Sequence, residues 1–113
     1  MTRNLTQHVD VYTVDQLFRE KKLAFAHWDL ENSEYEMLQG AKATIRRDQP
    51  IFTVETHYKH YPDSHGKVLE TIRAFDYECL TIKESCGWSD CRNHLCAPRI
   101  QMVQIKKIMA ALS

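Results

Sequence analysis

Leu23–Ala41, LAFAHWDLENSEYEMLQGA, sets a mostly apolar run directly ahead of a helical pattern. Leu23 to Leu30 is bounded by charge and reads as a strand buried on both faces, as a parallel sheet requires. Ser33-Glu34-Tyr35-Glu36 fits a capping box with acids in the first helical turn, and Met37, Leu38, Ala41 and Ile45 follow at helical spacing. The helix should end by Asp48, because Gln49 precedes Pro50 and proline pushes its neighbour out of the α region. Gly40 falls inside this pattern, where it costs about 1 kcal/mol against Ala. A close approach between helix and sheet would account for it.

The same alternation extends outward from this unit. Downstream, Ile51 to Glu55 is a second buried strand, and Tyr58 to Asp63 is a polar, aromatic loop. Asp63 or Ser64 can cap a helix whose apolar face is Val68, Leu69, Ile72 and Phe75. Tyr77 to Ile82 alternates as a strand, residues 83–92 form a loop, and Asn93 to Ala97 is strand-like. Met102, Ile105, Met109 and Leu112 recur at the spacing of a terminal helix. Upstream, Val9 to Thr13 is β-prone, and Thr13-Val14-Asp15-Gln16 is a capping box for a short helix carrying Val14, Leu17 and Phe18. The element order predicts an α/β layer sandwich with a largely parallel sheet flanked by helices. Ligands in such sheets sit beyond the carboxyl ends of the strands.

Composition narrows the function classes. The chain has 113 residues, 43% hydrophobic and 27% charged, which fits one globular domain. Fifteen basic and fifteen acidic residues cancel, so no electrostatic footprint for nucleic acid or an anionic membrane is present. No run of about 18 apolar residues offers a membrane span. The opening MTRNLTQHVDV has no apolar block of secretory type, so the default compartment is the cytoplasm. Cys79, Cys86, Cys91 and Cys96 are then expected to stay free thiols, the alternative being one or two disulfides if the parent protein is secretory.

Trp28-Asp29-Leu30-Glu31-Asn32-Ser33-Glu34 with Glu36-Met37-Leu38-Gln39-Gly40-Ala41 resembles FkbM-type methyltransferases, in the C-terminal half of their domain. Their signature is a strand ending in D-[VL]-E-G-x-E, then a helix reading E-x-L-x-G-A. Thr13-Val14-Asp15-Gln16-Leu17 resembles the family's T-L-D-x-L, and Pro50 to Glu55 its P-x-x-x-x-E strand. Asp76-Tyr77 is similar to its G-Y, and Asn93 to Pro98 to its N-x-x-x-x-P. The resemblance implies a class I, Rossmann-like fold that moves a methyl group from S-adenosylmethionine, usually to a hydroxyl oxygen. Asn32 and Asp76 stand where the family has Gly, and both residue types tolerate positive φ.

The family binds its cofactor mainly through its first strands and a Gly-rich loop. Here Gly40, Gly66 and Gly87 are isolated. The expectation is therefore a partial fold with its first half missing. Residues 1–98 correspond to the C-terminal part of the domain and residues 99–113 form a helical tail. The parent enzyme's acceptor would be a small-molecule or glycan hydroxyl, and the chain alone would be inactive. The rival expectation is a non-catalytic interaction module that self-associates through its open sheet edge.

Four residues are the catalytic candidates. Asp29 and Glu31 end the first strand and point one way on an extended backbone. Such a pair can bind a hard cation, orient a hydroxyl or supply a general base. The plainer reading is that Asp29 holds loop N–H groups and Glu31 is solvated. Glu55 and His57 end the next strand and can form a base–hydroxyl pair or a metal site, or be an edge carboxylate and a solvated imidazole. Glu34 is explained by the helix N-terminus alone. His60 and His65 read as solvated and Trp28 as core. Cys86, Cys91, His94 and Cys96 have the composition of a zinc site but lack the paired C-x2-C spacing, so no metal is assigned to them.

Overall fold

The computed structural model describes residues 10–30, 32–82 and 91–112. In chain order the elements are α1 (Val14–Leu17), β1 (Phe25–Trp28), α2 (Glu34–Gln39), α3 (Lys42–Asp48) and β2 (Ile51–His57). α4 (Pro62–Arg73), β3 (Tyr77–Ile82), β4 (Cys91–Pro98) and α5 (Arg99–Leu112) complete them. The strands form one sheet in the order β1-β2-β4-β3. β1 pairs parallel with β2, whereas β4 runs antiparallel to both β2 and β3.

The sheet is α/β and mixed, which corrects the expectation of a largely parallel one. β1, β2 and β3 do share a direction, and these are the strands that helices separate in the sequence. β4 turns back and enters between β2 and β3, so antiparallel pairs dominate. Alternation of strand and helix predicts strand direction; it carries no information about which strand is inserted between two others.

β2 lies at the centre of the core. Its burial alternates with the pleat: Phe52, Val54 and Thr56 are buried and their neighbours partly exposed. Phe52 and Val54 meet Leu38, Ala41, Ile45, Val68 and Ile72 from the helices. Apart from Ala41, each such side chain contributes roughly 1.5–3 kcal/mol on burial. Phe52 also sits between Trp28, at 4.6 Å, and Tyr77, at 5.4 Å between ring centroids. The Tyr77 hydroxyl donates to Pro50 O at 2.7 Å. Burial without a charged partner pushes this phenol up.

β1 is not buried on both faces. Ala26 and Trp28 pack against the core, but Phe25 is 59% exposed and β1 is the edge of the described sheet. Residues 10–13 form no strand. The Thr13 capping box does form, with Gln16 N donating to Thr13 Oγ1 and Thr13 N to Gln16 Oε1. The Ser33 box does not, and Ser33 makes no side-chain cap. α4 begins at Pro62 behind Tyr61, ahead of the expected Asp63 or Ser64 cap, because proline is suited to a first helical position.

The single helix expected from Glu34 to Asp48 is broken into α2 and α3 at Gly40-Ala41. A Cβ on Gly40 would meet Thr13 Cβ and Cγ2 at 3.0 Å, and Gly40 O accepts from Asp15 N at 2.9 Å. The close approach is thus to the start of α1, not to the sheet. Arg47 then ties the chain beyond α1 to α3, donating to the carbonyls of Phe18, Arg19 and Lys21. Asn32 and Asp76 take φ of 75° and 62°, as their alignment with glycine implied.

The free-thiol expectation is overturned at Cys79 and Cys96, which form a disulfide with each other, and at Cys91, which is disulfide-bonded too. Cys79 and Cys96 are direct partners across β3 and β4, with Cα atoms 4.1 Å apart on the helix-covered face. α5 lies against β3 and β4 with Met102 buried, and Lys106 pairs with Glu78. No described helix is long and apolar enough to cross a membrane.

Candidate functional site

The carboxyl ends of β1, β2 and β3 and the first residue of β4 share one edge of the sheet. This follows from register: His57 faces Cys91, Glu55 faces Asn93, and Ile82 also faces Asn93. Because Phe52, Val54 and Thr56 face the helices, Glu55 and His57 project from the other side. They meet there. His57 Nε2 is 3.3 Å from Glu55 Oε1, and both side chains are 13% exposed. Cys91 Sγ approaches the same carboxylate oxygen to 2.8 Å. Cys91 is disulfide-bonded, so no S–H proton lies in that contact.

The other two sequence candidates do not join this group as described. Asp29 directly follows the last β1–β2 register pair, Trp28 and Val54, and is exposed. Glu31 lies outside the described residues. Glu34 is buried and accepts the Leu30 N–H at 3.1 Å, which holds the turn after β1. Its role is structural.

Pleating also dissolves the Cys/His grouping read from residues 86–96. Cys91 stands on the Glu55 face, whereas His94 and Cys96 face the helices with Val54 and Phe52. Cys96 is committed to Cys79. Cys86 lies outside the described residues.

The helix-covered face carries a polar cluster that composition does not announce. Thr56 Oγ1 lies 2.8 Å from both His65 Nδ1 and His94 Nε2, and His94 Nδ1 is 3.2 Å from Thr81 Oγ1. Burial lowers the His94 pKa to about 4, with the neighbouring His65 and Arg92 adding to the effect. His65 is lowered too, by burial and then by Arg73, so it is not the solvated residue expected. The signal available in the sequence was Thr56 and His94, polar residues at inward-facing strand positions. Only pairing of β2 with β4 places them together.

Beyond the β1 and β2 ends lies a cleft of about 330 Å³, between the starts of α2 and α4. Tyr35, Tyr61, His60, Lys67, Asn32 and Asp63 line it. Lys67 Nζ lies 5.5 Å from the Tyr35 ring centre, and the Tyr61 ring meets His57 edge-on at 6.2 Å. His60 is exposed, as expected. The cleft offers aromatic faces with donors and acceptors between them, the lining that suits a small polar ligand.

A nucleotide-type cofactor held by a glycine cradle needs backbone that a ligand can approach closely. Gly40 is packed on Thr13, and Gly66 meets nothing within 4 Å on an exposed helical position. Among the described residues, these glycines do not fit such a cradle.

The family model for the methyltransferase FkbM domain matches residues 2–79. That span includes Asp29, Glu55 and His57 and stops ahead of β4. No curated protein and no solved structure matches the chain.

Proposed function

Since the chain belongs to the FkbM methyltransferase domain family, we propose that it forms the acceptor side of an O-methyltransferase domain dependent on S-adenosylmethionine. In this reading the chain corresponds to the C-terminal part of that domain. The observation that supports it most is the half-hidden Glu55–His57 pair at the carboxyl edge of the sheet, 3.3 Å apart. Glu55 accepts from Nε2–H, which selects the tautomer whose Nδ1 is basic. The imidazole takes the proton of an acceptor hydroxyl, and the carboxylate stabilises the imidazolium that results. Asp29, exposed just past the end of β1, orients the hydroxyl in this reading. The cleft under Tyr61 seats the rest of a small-molecule or glycan acceptor.

The methyl donor is the cofactor that the family implies. The described glycines do not cradle it, so the 113-residue chain by itself is expected neither to bind S-adenosylmethionine nor to transfer a methyl group. A second reading, a non-catalytic module, is favoured by the open β1 edge, where Phe25 is 59% and Leu30 39% exposed.

The test has two arms. Calorimetry of the purified chain with S-adenosylmethionine should show no heat of binding. The native polypeptide, captured from source cells with an antibody to residues 59–67, should transfer labelled methyl from the cofactor to a hydroxylated acceptor fraction. Cofactor-dependent transfer by the 113 residues alone would sink the acceptor-side assignment. A captured polypeptide of 13.3 kDa that binds no cofactor and elutes as a stable oligomer would replace the enzyme with the module.

A further inference from the structure

We propose that Glu55, His57 and Cys91 bind one zinc ion once the Cys91 disulfide is reduced. The site is built by the sheet itself. Glu55 and His57 are two apart on β2 and so share a face, and Cys91 is the cross-strand partner of His57. One ligand atom from each falls within 4.8 Å of the others. Glu55 Oε1 is 3.3 Å from His57 Nε2 and 2.8 Å from Cys91 Sγ. Zinc bonds of about 2.0–2.3 Å in tetrahedral array separate neighbouring donors by roughly 3.3–3.8 Å, so small rotations of these side chains close the set.

Chemistry selects the ion. One thiolate, one imidazole and one carboxylate suit zinc and match neither the all-oxygen preference of magnesium nor that of calcium. Cys91 is 1% exposed and the other two side chains 13%. A thiolate brought against a carboxylate in so sheltered a place repels it, and a shared divalent cation removes the repulsion. Three protein ligands leave a fourth position for water or a hydroxyl.

In the oxidised chain the Cys91 sulfur belongs to a disulfide and offers no thiolate. A phosphine breaks the S–S bond: two sulfurs leave as thiols, and phosphorus is oxidised to the phosphine oxide with the oxygen of water. A dithiol does the same and becomes a disulfide. Zinc then replaces the Cys91 thiol proton, which passes to buffer. Oxidation therefore governs whether His57 and Glu55 serve a proton or a metal. Metal retention is read without cofactor or acceptor, so its failure and that of the methyltransferase reading are separate results.

The experiment uses tag-free chain freed of metal, oxidised or reduced with a water-soluble phosphine, then loaded with zinc and gel-filtered. The reduced chain should keep one zinc per molecule and the oxidised chain none. Cobalt in place of zinc should show a sulfur-to-cobalt charge-transfer band that Cys91→Ser abolishes. His57→Gln and Glu55→Gln should each weaken zinc binding by at least the ~10–100-fold that lesser, outer-shell changes cost. Reduction also opens Cys79–Cys96, so the double Cys79→Ala, Cys96→Ala variant must retain both metal and band. No zinc on the reduced chain, a band persisting in Cys91→Ser, or indifference to both β2 variants would overturn the proposal. Circular dichroism checks each variant's fold, and where Cys91→Ser is unfolded the folded His57→Gln and Glu55→Gln variants decide.

Discussion

Asp15 accepts both the backbone N–H and the hydroxyl of Thr44, each at 2.8 Å, although α1 and α3 are separated by a turn, a strand and another helix. Ala43 N adds a third bond at 3.2 Å. A side chain from α1 thereby caps α3, whose own N-cap residue, Ala41, makes no side-chain bond.

Asp15→Ala should therefore cost about 1–2 kcal/mol, the range for losing a helix cap. Burial alone would raise the Asp15 pKa, but the bonds from Thr44 and Ala43 and the charge of Arg47 hold it below 3.8. The cap's contribution is complete above the unfolded value and lost as pH falls through the lower, folded one. Urea unfolding of wild type and variant above and below that window should give a difference that shrinks on acidification.

His94 gives a pH dependence from the opposite chemistry. Its pKa falls from 6.5 to about 4 on folding, so the unfolded chain binds the extra proton first. Stability is full above the unfolded value and should decline from near neutrality down to about pH 4, by an amount on the order of 3 kcal/mol. His65 contributes with the same sign. Thermal unfolding of His94→Gln across this range should show a flatter profile than wild type; an unchanged slope would assign the dependence elsewhere.

Thr56→Val removes the hydroxyl shared by His65 and His94 while keeping the shape of the side chain. The buried His94 and the partly buried His65 each lose a partner, so the expected cost is about 1–3 kcal/mol. Denaturant midpoints measure it, and imidazole NMR should report altered environments at both histidines.

Opening Cys79–Cys96, which are 17 positions apart, should destabilise the chain by about 3 kcal/mol. The double alanine variant isolates this from any effect of Cys91. Its unfolding midpoint should be lower than that of oxidised wild type and should respond less to reductant.

Gly40→Ala should destabilise despite alanine's better helix propensity. The added methyl would stand 3.0 Å from Thr13 Cβ and Cγ2, and Thr13 is held in place by its capping bond to Gln16. Overpacking of this kind costs about 1–3 kcal/mol. A stability gain in chemical denaturation would show that α1 can shift away.

Local chemistry made much of this legible. Thr13 and Gln16 form their box, α3 ends at Asp48 ahead of the proline, and Asn32 and Asp76 adopt the backbone of the glycines they replace. Glu55 and His57 were selected from their place at a strand end, and they do meet. What escaped depends on contacts distant in sequence. Gly40 looked like a helix–sheet contact because nothing near it names Thr13. Cys91 looked equivalent to His94 and Cys96 until the pleat put them on opposite faces. His65 looked solvated because its partners, Thr56 and His94, lie on two strands.

The insertion of β4 between β2 and β3 also sets an order of events. β2 and β3 are not ladder partners, so β3 joins the sheet only when Cys91–Pro98 arrives. The strand flanked by β2 and β3 is the last of the four in chain order. A nascent chain that has emerged as far as β3 can pair β1 with β2 but lacks the strand that joins β3 to them. The whole sheet should therefore close only once residue 98 has cleared the ribosome, and the interval before then is when this chain most needs a chaperone.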